Sequence, residues 1–321
     1  MYTDDRISEI VSSWRIRFRK SHPEIGIDGS PERTSYRVVI EDQDSRLWVL
    51  EAIAPDSYIR KVRISEALTF LRARGLRTVH PHLPNDANDF AVLNGRLHWQ
   101  MRPYIKGVPL PRPSYVLDRW RGRECARFLT EMREKAQDMP GVLGQQDLSM
   151  ASFIQEMSST MERYDPQVHK RLGPAFRFIE KEFLHIEGGL PTCFCHGDFH
   201  PLNVIWSENG IQSVIDWEFL GYKFELYDMA NLIGCVGFED PEALGQGFVN
   251  ELISQMRTVG AISELSWEVL AEWVTAIRFA WLSDWLRRRD REMVDLEVAY
   301  IDLLIRNLRV LKDTWAKRIR T

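Results

Sequence analysis

The chain has 321 residues, 44% hydrophobic and 27% charged, with a formal net charge of −4 and a pI near 6.1. These values suit a soluble globular protein with room for one large or two modest cores, and they provide no overall basic field to attract nucleic acid. The first residues lack an apolar signal region, no run approaches a membrane span, and Cys125, Cys193, Cys195 and Cys235 show no zinc spacing, so the expectation is a cytoplasmic protein with reduced thiols and neither membrane nor nucleic acid as partner.

Ile7, Ile10, Val11 and Trp14 recur at helical spacing within residues 7–18, and the proline-bounded stretch 23–31 ends that stripe. Residues 36–40 and 47–53 are β-rich runs joined by the polar turn Glu41-Asp42-Gln43-Asp44-Ser45. Residues 57–74 read as a helix with Ile64, Leu68 and Leu71 on one face and Gly75 as its stop. Residues 90–93 and 96–101 flank Asn94-Gly95, a hairpin signal. This part of the chain predicts a small antiparallel sheet with one helix across it.

The composition changes at Pro103-Tyr104-Ile105-Lys106-Gly107, followed by Pro111 and Pro113. Beyond this point the pattern turns helical. The expectation is a β-rich lobe over 1–102 and an α-rich lobe over 103–321. Leu117, Trp120, Phe128, Leu129 and Met132 mark one helix; others cover 152–164 and 166–185, the latter with a kink at Pro174.

Residues 192–195 read as a short strand and 196–203 as a tight loop stiffened by Pro201. Residues 203–206 and 211–215 are apolar and β-prone, with Asn209-Gly210 between them as the turn of a second hairpin. Antiparallel pairing brings the far ends of a hairpin together, so Asn203 and Asp216 are expected to meet, with Asp198 on the loop just before. Three oxygen-bearing side chains at one hairpin edge suit a hard cation such as Mg²⁺, which takes waters or phosphate oxygens at its other positions. Asp198 is then placed to accept a proton from a hydroxyl. Kinases divide the labour in this way: His-Arg-Asp-x-x-x-x-Asn supplies a catalytic Asp and a metal-binding Asn, and a later Asp holds Mg²⁺. His196-Gly197-Asp198 and Asn203 keep that spacing here, and Asp216 takes the place of the later Asp.

His196-Gly197-Asp198-x-x-x-x-Asn203 followed by Ile215-Asp216-Trp217-Glu218 resembles the aminoglycoside phosphotransferase and choline kinase superfamily, the small-molecule branch of the protein-kinase-like fold. Tyr227-Asp228-Met229-Ala230-Asn231-Leu232 is similar to that family's next motif, a Tyr-Asp opening a helix. The motifs span residues 195–232; elsewhere the likeness lies in the order of elements. The resemblance implies an α+β, bilobal fold, with Asp198 as catalytic base, Asn203 and Asp216 as Mg²⁺ ligands and Asp228 as a support of the catalytic loop. His196 is expected to bond the loop backbone. A different reading makes His196-x-Asp198-x-His200 a metallohydrolase cluster, but a full zinc site needs three or four protein ligands and no second His/Cys cluster has suitable spacing. Cys193 and Cys195, alternating on a short strand, read as packing residues.

Further helices are expected over 227–236, 241–259, 267–288 and 292–317. Trp281 and Trp285, one turn apart, either cover a sugar or a cation or belong to the core. Asp284 and the run Arg287-Arg288-Arg289-Asp290-Arg291-Glu292 are interleaved in charge and read either as acceptor contacts or as a solvated face.

The resemblance also places a nucleotide, ATP or GTP, between the lobes, with the base against the backbone of 102–105. Pro103 has no N–H, which leaves Tyr104 and Ile105 as donors. The phosphate-loop candidate is Gly29-Ser30-Pro31-Glu32-Arg33-Thr34-Ser35, acting through backbone amides and the hydroxyls of Ser30, Thr34 or Ser35; the same residues also read as a plain surface turn. The sequence departs from the family at Glu51, where the strand normally carries a Lys. Strand alternation puts Glu51 on the face of Val49 and Ile53. Either Lys61 or Arg63 pairs with it and presents charge to the phosphates, or Arg60 to Arg63 is a solvated basic face, with Glu66 as another helix-borne acid. The expected activity is Mg²⁺-assisted transfer of a γ-phosphoryl group to a small-molecule hydroxyl. Similar families act on aminoglycosides, homoserine, choline, sugars and protein Ser/Thr, and the sequence does not select among them. The alternative is a nucleotide-binding pseudokinase with a regulatory role, which Glu51 favours and the intact Asp198, Asn203 and Asp216 oppose.

Overall fold

Thr3 starts the first helix, its side-chain oxygen accepting the Arg6 N–H at 3.4 Å, and α1 (Asp4–Val11) buries Ile7, Ile10 and Val11 along one side. Burial of each such aliphatic side chain is worth about 1.5–3 kcal/mol. The helix expected over 7–18 stops early: a single tight turn carries Ser12–Trp14, Arg15 adopts a left-handed backbone (φ 54), and β1 (Phe18–His22) follows as an edge strand. Trp14 and Phe18 still reach the core that the helical stripe addressed, so the side-chain pattern is satisfied by a turn and a strand. The computed structural model describes residues 2–27, 34–140 and 149–319.

Four more strands complete an antiparallel sheet: β2 (Thr34–Asp42), β3 (Leu47–Ile53), β4 (Ala91–Asn94) and β5 (Leu97–Pro103), in the order β1-β2-β3-β5-β4. The β4–β5 turn is Gly95-Arg96, one residue later than Asn94-Gly95, because Asn94 pairs with Leu97; Gly95 takes the positive φ of 64 that the turn needs. Period two then sorts the sheet into two faces. Val38, Ile40, Leu50, Ala52, Trp99 and Met101 pack with α1. The alternate positions Arg37, Glu51, Gln100 and Arg102 face a cleft. The register sets Arg37 opposite Glu51 and Glu51 opposite Gln100. Helix α2 (Tyr58–Ala73) crosses between β3 and β4 in sequence, and its Ile64, Ala67, Leu68 and Leu71 join the larger core of the C-terminal part.

The remainder is mostly helical: α3 (Arg119–Lys135), α4 (Met150–Tyr164), α5 (Pro166–Phe178), α6 (Tyr227–Glu239), α7 (Gly247–Thr258), α8 (Glu264–Glu268), α9 (Leu270–Arg288), α10 (Arg291–Arg306) and α11 (Leu308–Ile319). Between α5 and α6 lie two small antiparallel pairs. One is β6 (Thr192–Cys195) with β9 (Gly221–Phe224), and the other is β7 (Val204–Trp206) with β8 (Ile211–Val214). Three expected helices are divided. Residues 241–245 form a short tight helix capped by Asp240 before α7 begins; Ser263 caps α8 ahead of α9; and Asn307 separates α10 from α11. Each division has its own terminus to satisfy backbone groups, which a hydrophobic stripe alone does not reveal. Pro174 sits inside α5, whose regular turns end at Phe178 and pass into a wider turn over Ile179–Phe183. Helices α3 and α7 approach closely: a Cβ at Gly122 would lie 2.2 Å from the Phe248 carbonyl oxygen. Among the described residues no helix is long and apolar enough to cross a membrane.

Candidate active site

The loop from His196 to Asn203 is held from beneath by one carboxylate. Asp228, in the first turn of α6 and fully buried, accepts the backbone N–H groups of His196 at 2.7 Å and Gly197 at 2.8 Å. Gly197 adopts φ +85, and a Cβ there would come within 2.0 Å of the Phe219 carbonyl oxygen. The buried His196 ring accepts the Asp198 N–H through Nδ1 at 3.2 Å and meets the Ile215 carbonyl through Nε2 at 3.0 Å. The first contact needs a bare nitrogen and the second an N–H, so the ring is the neutral Nε2–H tautomer. Burial also holds its pKa below the ordinary imidazole value, against the nearby Asp228 and Asp198 carboxylates. His196 thus ties the start of the loop to the end of the β7–β8 hairpin.

The β7–β8 hairpin forms where the sequence predicts it, but its loop takes the four residues from Ser207 to Gly210, since Trp206 pairs with Ile211. The Ile215 N–H donates to the Asn203 carbonyl at 2.9 Å, so the two ends of the hairpin touch. The Asn203 side chain is buried and its Nδ2 donates to the Asp198 carbonyl at 2.9 Å and to Asp198 Oδ2 at 3.2 Å. The amide is thereby oriented, with Oδ1 turned away from Asp198. Asp216 follows with φ 61, an uncommon backbone for a residue with a Cβ. Asp198, Asn203 and Asp216 all line one cleft of about 1140 Å³ between the sheet and the helices. The Asp198 side chain is 24% exposed, with His200 Nε2 3.7 Å from Oδ2. Among the described residues no three His, Cys, Asp or Glu side chains gather so as to hold a metal ion by themselves.

Residues 28–262 match the family model described as the phosphotransferase enzyme family, APH. The chain belongs to that family. Solved structures agree in fold. An aminoglycoside phosphotransferase from Alicyclobacillus acidocaldarius superposes with a TM-score of 0.66 at 14% identity, over 97% of this chain and 96% of that one. The GDP complex of aminoglycoside 2'-phosphotransferase-IIIa gives 0.67 at 13% identity, over 95% and 99%. A microcompartment-associated aminopropanol kinase gives 0.67 at 15% identity, over 95% and 98%. No curated protein matches the sequence. The protein is a phosphotransferase with the bilobal, protein-kinase-like α+β fold.

At the sheet end of the phosphotransferase's cleft, the expected pairing of Glu51 with a helix cation does not occur. Glu51 pairs with Arg37, its cross-strand neighbour; Gln100 Nε2 donates to it at 2.8 Å, and Arg102 lies 3.9 Å away. Burial alone would raise its pKa, but Arg102, then Arg37 and Lys61, bring it down to about 2, so it is a carboxylate. Lys61 is buried and bonds Glu218, two residues past Asp216. This pair ties α2 to the hairpin segment. Arg60, Arg63 and Glu66 are exposed, so the basic run is solvated except at Lys61. His82 is buried beside these groups, and burial together with Lys61 pushes its pKa down to about 3.

Thr34 and Lys61 line the cleft; Ser35, exposed beside a bulge between Thr34 and Tyr36, does not. Ser30 lies outside the described residues. The Tyr104 N–H donates to the Leu47 carbonyl at 2.9 Å, extending the β3–β5 ladder, and is spent there. Ile105 lies beyond the end of β5 at Pro103. Neither Tyr104 nor Ile105 is on the cleft wall. Trp281 and Trp285 are half-buried and line the opposite end, with Trp281 Nε1 donating to Asn231 Oδ1 at 2.8 Å and its ring 5.3 Å from that of His200. The reading of the sequence missed Arg37, Gln100, Arg102, Glu218 and Lys223 on the cleft wall. Alternation from Glu51 was a usable signal for the sheet residues, whereas a single Lys in a short apolar strand gives none.

Proposed function

We propose that the chain transfers the γ-phosphoryl group of ATP, or of GTP, to a hydroxyl of a small molecule, with residues 1–102 and 103–321 as the nucleotide and acceptor lobes. What supports this reading is that Asp198 and Asn203 are hydrogen-bonded to each other and line the same cleft as Asp216, whose chain neighbour Ile215 bonds the Asn203 carbonyl. Asp198 orients the acceptor hydroxyl and takes its proton as the new O–P bond forms and the β–γ bridge bond breaks, leaving the nucleoside diphosphate. The transition state is loose, so positioning and charge neutralisation dominate over proton transfer. Asn203 holds Asp198 in place through Nδ2 and offers Oδ1, and Asp216 offers a carboxylate; this amide-plus-carboxylate pair fits Mg²⁺, which keeps its remaining sites for phosphate and water. When bound, the ion neutralises charge on the β- and γ-phosphates. Lys61, Arg37 and Arg102 supply positive charge on the nucleotide side in place of the missing strand Lys, and Thr34 offers a hydroxyl. Buried Glu218 Oε2, Gln100 Oε1 and His82 Nδ1 lack protein partners, and native folds seldom leave such atoms unpaired, which supports a polar ligand at this end.

The test is Mg²⁺-dependent nucleotide turnover, measured with pooled hydroxyl compounds for the wild type and Asp198→Asn. Loss of the base should lower kcat by roughly 10²–10⁴-fold while nucleotide affinity is retained. Equal turnover in the variant would remove Asp198 from this role.

A further inference from the structure

The cleft beyond Asp198 carries charge that the transfer step does not use. Lys223 stands on β9 with Cys193 as its cross-strand partner. It is 8% exposed and lines the cleft. Its side chain runs beneath the catalytic loop, where a Cβ at Gly197 would lie 2.9 Å from its Cε. Its ammonium sits over the Tyr227 ring, 4.9 Å from the centroid, and among the described residues it has no ion-pair partner. Burial lowers its pKa, while Cys195 and Asp228 act in the opposite direction. A buried ammonium without a counter-ion is costly, and it is compensated when an anion arrives to pair with it.

The facing wall has the same sign. On α9, Arg287 and Arg288 both bond the Asp284 carboxylate, at 2.6 and 2.8 Å. Arg112 also lines the cleft, and its partner Glu239, 2.5 Å away, does not. If Asp198 and Asp216 are committed to the transfer step, Asp284 is, among the described residues of this part of the cleft wall, the acid that faces Lys223, Arg112 and Arg288. A polycationic acceptor would bring its ammonium groups against this wall, and like charges in a confined cleft are a strong element of rejection.

We infer that the acceptor carries an anionic group, a carboxylate or a phosphate ester, which pairs with Lys223 while its hydroxyl meets Asp198. This rests on the reading of Asp198 as the place of phosphoryl transfer. It makes Lys223 a specificity determinant for the acceptor, with the Trp281 and Trp285 rings packing on the acceptor's carbon frame.

The experiment uses matched acceptors that differ in charge: glycerate and glycerol 1-phosphate as anions, glycerol as the neutral member, and 3-aminopropane-1,2-diol as the cation, with gluconate, glucose 6-phosphate, glucose and glucosamine as a larger set. Acceptor-stimulated Mg·ATP turnover is measured with the full chain for the wild type, Lys223→Met, Lys223→Arg and Asp198→Asn. The expected result is stimulation by anionic members, with the acceptor KM raised by about tenfold or more in Lys223→Met, as loss of one charge-assisted contact implies, and largely recovered in Lys223→Arg. The carboxylate and phosphate arms then identify the anion. Four results overturn the inference while leaving phosphotransfer standing: stimulation confined to neutral or cationic members, no stimulation by any anionic member, an anionic acceptor whose KM ignores Lys223→Met, or a rise in nucleotide KM alone, which would assign the ammonium to the transferred phosphoryl. Turnover that Asp198→Asn does not reduce overturns the phosphotransfer reading itself. The charge ranking is read on the wild type and does not depend on how the variants fold.

Discussion

Replacing Asp228 by Asn keeps the volume of the side chain and removes its charge. In the wild type its two oxygens accept the His196 and Gly197 N–H groups at 2.7 and 2.8 Å, at a position with 0% exposure. An amide accepts through one atom only, so one backbone N–H would face an NH₂ group and lose its partner. A buried donor left unsatisfied costs about 1–3 kcal/mol, and the surviving bond falls from charge-assisted to neutral, about 1 kcal/mol less. The sum for Asp228→Asn is about 2–4 kcal/mol, and Asp228→Ala, which strands both donors, costs about 2–6 kcal/mol. Against a typical stability of about 5–15 kcal/mol this is a large fraction. Urea unfolding should show a lower midpoint with the slope unchanged, and turnover should fall by at least about tenfold because Gly197 and Asp198 lose their anchor. An Asp228→Asn protein within about 0.5 kcal/mol of the wild type and equally active would refute the assignment of this carboxylate as the support of the loop.

Gly197→Ala should cost about 1–2 kcal/mol for the left-handed backbone alone, and more for the Cβ that would meet the Phe219 carbonyl oxygen at 2.0 Å; wild-type stability and turnover would show that the loop relaxes freely. Lys61→Met leaves Glu218 buried without its cation, so it should destabilise by about 3–5 kcal/mol and raise the nucleotide KM. The double variant Lys61→Met/Glu218→Gln should recover part of the stability but not the KM, and simple additivity of the two changes would argue against the pair. His82 has a folded pKa of about 3 against an ordinary 6.5. The unfolded chain therefore binds a proton that the folded chain refuses between those values, and stability falls as the pH drops through that window. His82→Gln should remove up to about 1.4 kcal/mol per pH unit from the slope of stability against pH there; identical slopes in the two proteins would mean that the imidazole is protonated in the fold.

The candidate site was legible in the chain because it is built from near neighbours in sequence. Asp198, Asn203 and Asp216 span one loop and one hairpin, and once the four residues from Ser207 to Gly210 reverse the chain, antiparallel pairing leaves the ends of the hairpin little choice but to meet. His196 was legible as a residue of that loop, and Asp228 through the resemblance of Tyr227-Asp228 to the family's next motif; in the structure both bond backbone groups of the loop. The sheet was legible through alternation, apart from β1, where the apolar residues Trp14 and Phe18 fit a helix, a turn or a strand equally well and the unpaired edge of β2 decided.

What the sequence by itself determined is therefore the fold class, through the family motifs and the periodicity of the strands and helices, and the loop and hairpin that carry Asp198, Asn203 and Asp216, through local backbone geometry. Only the tertiary structure decided which charges neutralise which. Glu51 takes Arg37 across the strand register, Lys61 reaches Glu218 far along the chain, the Tyr104 N–H is claimed by Leu47, and Lys223 lies under the loop with no ion-pair partner among the described residues. The physical reason is that an ion pair depends on distance and burial after packing, and neither is encoded in the spacing of two residues along the chain.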